Sequence, residues 1–208
     1  VTRVPTSGSP SNSPERRRLA GLVADLVLAD GMLDHSLSGI ARQIGSNNRM
    51  LLYYFGSKGA LLQAAATTAA ERFPHLASVF DRLASDDLPL EERLLRAWDD
   101  IGDPENRPYL VMFFHRFGVA IGAPEEWAEF LAELGTGWVA LVRDVLEREG
   151  YPRPDAENAA TRLVAQWRGL QFALLCGMPP EALTAANRAG IRDLLAGLPP
   201  LPDASDRG

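Results

Sequence analysis

The chain has 208 residues, 46% hydrophobic and 23% charged, which is ordinary for a soluble globular protein and enough for one large or two small domains with a real core. Cys176 is its one cysteine, so an intramolecular disulfide is excluded, and no apolar run approaches a membrane span or a signal-peptide core; a cytoplasmic location is expected. The formal charge of −6 is unevenly spread: residues 1–70 hold seven basic against four acidic residues (+3) and the remainder 14 against 23 (−9), a mildly basic head on an acidic body.

Abundant Ala and Arg, few β-branched residues and the absence of any alternating apolar pattern point to helices throughout. Residues 1–13 are rich in Ser, Pro and Gly and are expected to be a disordered arm; its Arg3 and the Arg16-Arg17-Arg18 cluster are candidates for phosphate or minor-groove contact, or simply a solvated leader. Helix 1 opens with Ser13 as cap and Pro14 in its first turn, carries Leu19, Leu22, Val23, Leu26 and Val27 at helical spacing, and stops at Gly31. Ser36 caps a second helix whose Leu37, Ile40, Ala41 and Ile44 form one apolar stripe, and Gly45 ends it. Asn47 and Asn48 offer caps to a short third helix with Met50, Leu51 and Phe55 as its apolar stripe. Gly56-Ser57 breaks the pattern, and Lys58 opens a fourth helix.

Two short helices joined by a tight glycine-bearing turn are the helix-turn-helix signature. Asn47, Asn48, Arg49, Tyr53 and Tyr54 on the second of them are side chains of the kinds that reach base edges and phosphates. The same residues also fit a solvated polar face of a small helix bundle.

From about Arg16 to Ala65 the sequence resembles the DNA-binding domain of the TetR family of bacterial transcriptional regulators. The matching residues are Ile40-Ala41, Gly45, Leu51, Phe55, Ser57-Lys58 and Leu61-Leu62, after a helix ending at Gly31. Leu52 stands where the family usually has Tyr, Tyr54 where it often has His, and Ser46-Asn47 where Val and Ser commonly follow the glycine. The resemblance implies an all-α chain: an N-terminal three-helix helix-turn-helix DNA-binding domain followed by a helical-bundle ligand-binding and dimerisation domain. Arg49, Asn48 and Tyr53 are then expected at or near bases, and Ser36, Asn47, Tyr54 and Lys58 at phosphates, Lys58 together with the N-terminus of its helix.

Along the body, the fourth helix is expected to run to about Leu83, kinked or divided at Pro74. Further helices are expected over 90–101, 107–118, 124–149, 155–176 and 181–195, with breaks at the intervening Gly and Pro clusters. The domains expected are an arm over 1–13, a DNA-binding domain over 14–62, a body over 63–198 and a flexible tail over 199–208. Trp98, Phe113, Phe117, Trp138 and Trp167 come from several helices and are candidates to line an apolar ligand cavity, or simply core. His115, Arg116, Gln166 and Arg168 are candidate polar groups for orienting a ligand. In the resembled family the last two long helices commonly pair into a dimeric four-helix bundle. Ala165, Gly169, Phe172 and Ala173 would suit close helix approach there.

Catalytic and metal-binding signals are absent. His35, His75 and His115 lie far apart, Cys176 has no partner nearby in sequence, and phosphate loops and nucleophile elbows are missing. The expectation is therefore a homodimeric transcriptional regulator without enzyme activity, cofactor or metal, a repressor that binds a palindromic DNA operator and is released by a small molecule. The alternatives are a helical small-molecule-binding protein whose head is only a packing module, and a transcriptional activator.

Overall fold

The computed structural model describes residues 13–30, 36–125 and 127–201. They form twelve α-helices: α1 Pro14–Asp30, α2 Leu37–Gln43, α3 Asn48–Phe55, α4 Lys58–Ala70, α5 Pro74–Ala77, α6 Val79–Ala84, α7 Leu90–Ile101, α8 Arg107–Gly122, α9 Ala128–Ala132, α10 Trp138–Glu149, α11 Arg153–Leu175 and α12 Pro180–Ala196. No strand occurs among the described residues, so the expected all-α class holds. Residues 1–12 of the expected arm and 202–208 of the expected tail lie outside the described residues, as does Gly31, the expected stop of helix 1.

These helices fall into two compact units. One comprises the described residues up to Phe73 together with Val111–Trp127; the other comprises Pro74–Leu110 and the described residues from Ala128 onward. This differs from the division expected at residue 62. Gln63–Ala70 continue α4 of the head, and Val111–Trp127 joins the same unit, where the buried Arg116 donates to the Gln63 side chain and its guanidinium lies 5.4 Å from the centre of the Trp127 ring.

In the first unit α1 lies along α4, and α3 packs on both. Leu19, Val23, Val27, Ile40, Leu51, Phe55, Leu61, Leu62 and Ala65 are all buried, the apolar stripes read from the sequence. The fourth helix is shorter than expected. It stops at Ala70, and the stretch to residue 84 is divided into α5 and α6. The residue before a proline is biased away from helical geometry, which ends α4 ahead of Pro74. Ser78 then breaks the next helix, its hydroxyl donating to the Pro74 carbonyl at 2.8 Å.

In the second unit Val79, Leu94, Trp98, Ile101, Val142, Leu146, Leu163, Trp167, Leu183 and Ile191 belong to one core. The helix expected over 124–149 is also interrupted: Glu133–Gly137 is a π-helical turn between α9 and α10. Two glycines weaken the α-helical preference there, and Thr136 donates its hydroxyl to the Ala132 carbonyl at 2.7 Å.

One polar group is fully enclosed. Asn187 on α12 accepts from Trp167 Nε1 at 3.2 Å and from Gln166 Nε2 at 3.0 Å. An indole N–H can only donate, so the Asn187 oxygen faces it. Gly190, one turn on, leaves the space that Gln166 occupies; a Cβ there would collide with it. Asn187→Ala would strand the buried indole donor, though it would also remove the Asn187 amide nitrogen, itself buried without a partner among the described residues. The expected net loss is about 2 kcal/mol, read from urea unfolding at fixed protein concentration; an unchanged midpoint would count against this packing account.

Candidate nucleic-acid interface

The helix-turn-helix is fixed by local chemistry. Ser36 accepts from the Gly39 amide at 3.1 Å and begins α2. Gly45, at φ +68°, makes the left-handed turn that ends it, and the Ser46 amide donates back to the Ala41 carbonyl at 2.7 Å. Asn47 starts α3 by accepting from the Met50 amide at 2.9 Å, and Ser57 starts α4 by accepting from the Ala60 amide at 3.1 Å.

With 100° per residue, the eight residues of α3 separate into two arcs. Leu51 and Phe55 are buried and Met50 and Tyr54 half-buried on one side; Asn48, Arg49, Leu52 and Tyr53 are exposed on the other. Three of the four exposed residues are thus polar or aromatic groups suited to a nucleic acid. Tyr53 is 65% exposed and meets the Tyr54 ring edge-on, with centroids 4.9 Å apart.

The expected DNA-contacting residues do not all stand alike. Asn48 Nδ2 donates to Ser38 Oγ at 2.7 Å, tying α3 to α2. That bond uses one of the two amide N–H groups, so Asn48 keeps the other and its oxygen for a base edge. Ser36 and Asn47 use their side-chain oxygens as caps, which leaves a hydroxyl proton and an amide nitrogen as donors. Arg49 is exposed, and Lys58 is half-buried at the first position of α4. In the arginine cluster, Arg16 Nε donates to the Tyr54 carbonyl at 3.3 Å and its guanidinium lies 4.9 Å over Phe55, so it braces the end of α3. Arg18 pairs with Glu15, and Arg17 is exposed.

Sequence reasoning missed Ser38 and Leu52 as parts of this surface, and it offered Arg16 as a phosphate contact rather than as a brace for α3. A helical projection anchored on Leu51 and Phe55 turns Leu52 outward. No sequence rule pairs Asn48 with Ser38, because that bond depends on how α2 and α3 meet.

The five candidate cavity residues are divided between the units. Phe113 and Phe117 belong to the first, Trp98, Trp138 and Trp167 to the second. Trp98 is buried and donates to Thr184 Oγ1 at 3.2 Å, and Trp167 is buried against Asn187; both are core. Trp138 is half-buried, meets Phe80 edge-on at 4.5 Å and lies under the Arg168 guanidinium at 4.8 Å. Burial lowers the Arg168 pKa to about 10, so it remains charged at neutral pH. Gln166 is engaged with Asn187. Phe80 also borders a groove of about 610 Å³ lined by Leu141, Asp144, Val145 and Arg148.

No protein-family model matches the sequence, and no curated relative does. Solved structures do. A transcriptional regulator from Rhodococcus sp. Rha1 superposes with a TM-score of 0.68 at 22% identity, over 92% of this chain and all of the other. A Rhodococcus protein assigned, as a proposed member, to the TetR family of transcriptional regulators gives 0.69 at 19% identity, over 87% and 99% of the two chains. This chain has the TetR fold. The multidrug binding protein EbrR, solved with imidazole, shares the fold at a TM-score of 0.67 and 20% identity, over 94% of this chain and all of the other. Among the described residues, no helix is long and apolar enough to cross a membrane and no cluster of His, Cys, Asp or Glu could hold a metal.

Proposed function

We propose that the protein is a DNA-binding transcriptional regulator that binds a palindromic operator as a homodimer through the exposed arc of α3. The observation that carries this reading is the arc itself: Asn48, Arg49 and Tyr53 turned to solvent on the second helix of a capped helix-turn-helix. Arg49 suits the two acceptors of guanine, Asn48 a base amine, and Ser36, Asn47, Tyr54 and Lys58 the flanking phosphates. One eight-residue helix reads few base pairs. Two, held about 34–36 Å apart by a dimer, read an inverted repeat.

The dimer is proposed to form through α11 and α12. Their faces opposite the core carry small side chains: Ala165 and Gly169 with the 58%-exposed Phe172 on α11, and Ala182, Ala185, Ala186 and Ala189 on α12. Ala173, also expected there, is half-buried against the core. Small residues at helical spacing let two helix pairs approach closely and bury Phe172.

The acidic body is proposed to receive a largely apolar small molecule that releases the repressor from DNA. The groove beside Phe80 and Trp138 is one place in the second unit with room for it. To weaken operator occupancy tenfold, the ligand must favour the non-binding state by about 1.4 kcal/mol.

Titration of the full-length protein against DNA from its own upstream region, with scrambled competitor, tests the reading. Competitor-resistant binding is expected at 50 mM salt, falling about a thousandfold by 200 mM as release of phosphate counterions into saltier solution gains less entropy. Binding that is absent, or indifferent to salt and competitor, would return the head to a packing module.

A further inference from the structure

Leu52 is the one apolar member of the exposed arc of α3, and it is 46% exposed. In projection it lies about 40° from Asn48 and about 60° from Arg49, between the two groups best suited to base edges. A single exposed leucine is ordinary on a protein surface. This one occupies the middle of the arc that must face the bases if α3 enters a groove, and both neighbours in the arc are polar. Turned inward, it would displace Leu51 or Phe55, which already fill the buried arc. A leucine offers neither donor nor acceptor. What it can recognise in the major groove is the one apolar group displayed there, the C5-methyl of thymine.

We infer that Leu52 is a specificity-determining residue that reads a thymine methyl in each operator half-site, beside the base contacted by Arg49. This rests on the regulator reading above and adds to it a required base and the atom recognised. Asn48, steadied by its bond to Ser38, stands beside Leu52 with a hydrogen-bonding edge for one base, and the methyl contact of Leu52 marks a neighbouring A·T pair.

The test uses the full-length protein and duplex sites it selects from a random library. Each thymine of the best site is replaced in turn by deoxyuridine, which removes the methyl group and nothing else. One thymine per half-site is expected where this substitution weakens wild-type binding about fourfold, the effect of one buried methyl-sized group. Leu52→Ala should lose sensitivity at that thymine alone, while Leu52→Met, which keeps an apolar side chain, should retain it. Leu52 is exposed, so both variants are expected to fold, which circular dichroism and an unchanged unfolding midpoint would verify. Enriched sites with no thymine whose methyl effect depends on Leu52 overturn this inference and leave the regulator reading standing. A library that yields no enriched site overturns both.

Discussion

Gly169→Arg is expected to produce a folded monomer whose affinity for a two-half-site operator falls by at least a hundredfold. Gly169 is exposed on α11, and a Cβ built there meets nothing within 4 Å in its own protomer. Arginine also favours a helix over glycine by several tenths of a kcal/mol, so the isolated chain has no reason to lose stability. Across the proposed dimer, however, the substitution places a long charged side chain where small residues allow close approach. An unpaired buried charge costs about 3–5 kcal/mol. Once the protomers separate, the second half-site no longer binds intramolecularly, which removes about 10²–10⁴ in avidity. Sedimentation would give the mass and a DNA titration the affinity. Gly169→Ala, which fits close helix packing, should retain both. A dimeric Gly169→Arg protein would move the interface away from α11.

The second large effect separates base reading from phosphate holding. Arg49→Ala should cost about 1–3 kcal/mol of operator binding and little of non-specific binding, because a guanidinium on a guanine edge carries sequence information. Lys58→Ala should weaken specific and non-specific binding alike and lower the salt slope by about one per head. Neither residue fills the core, Arg49 being exposed and Lys58 half-buried, so unfolding midpoints should stay close to wild type. Equal loss of discrimination in both variants would show that the two roles had been assigned wrongly.

The head was legible because its signals are local. Ser36, Asn47 and Ser57 are caps whose bonds lie three residues away, Gly45 supplies the only backbone geometry the turn accepts without strain, and the buried stripe of α2 follows from helical period. The body was legible only in outline. The end of α4 at Ala70 depends on Pro74 acting on its predecessor, and the π turn at Glu133–Gly137 on a threonine competing with backbone bonds, choices that periodicity does not decide. The aromatics were the least legible part. Trp98 and Trp167 look from sequence like cavity walls, yet each donates its indole N–H to α12 and lies in the core, because Thr184 and Asn187 happen to sit opposite them. Phe113 and Phe117 group with the head, since Val111–Trp127 packs there despite lying in the middle of the body's sequence.

The most direct test of the whole account is a hydroxyl-radical footprint of the full-length protein on its tightest-binding DNA, with stoichiometry measured in parallel. One dimer should protect two symmetric patches on an inverted repeat, their centres about 34–36 Å apart. Uniform protection without symmetry, or none at protein concentrations that saturate the DNA, would contradict the claim that two copies of α3 read a palindrome.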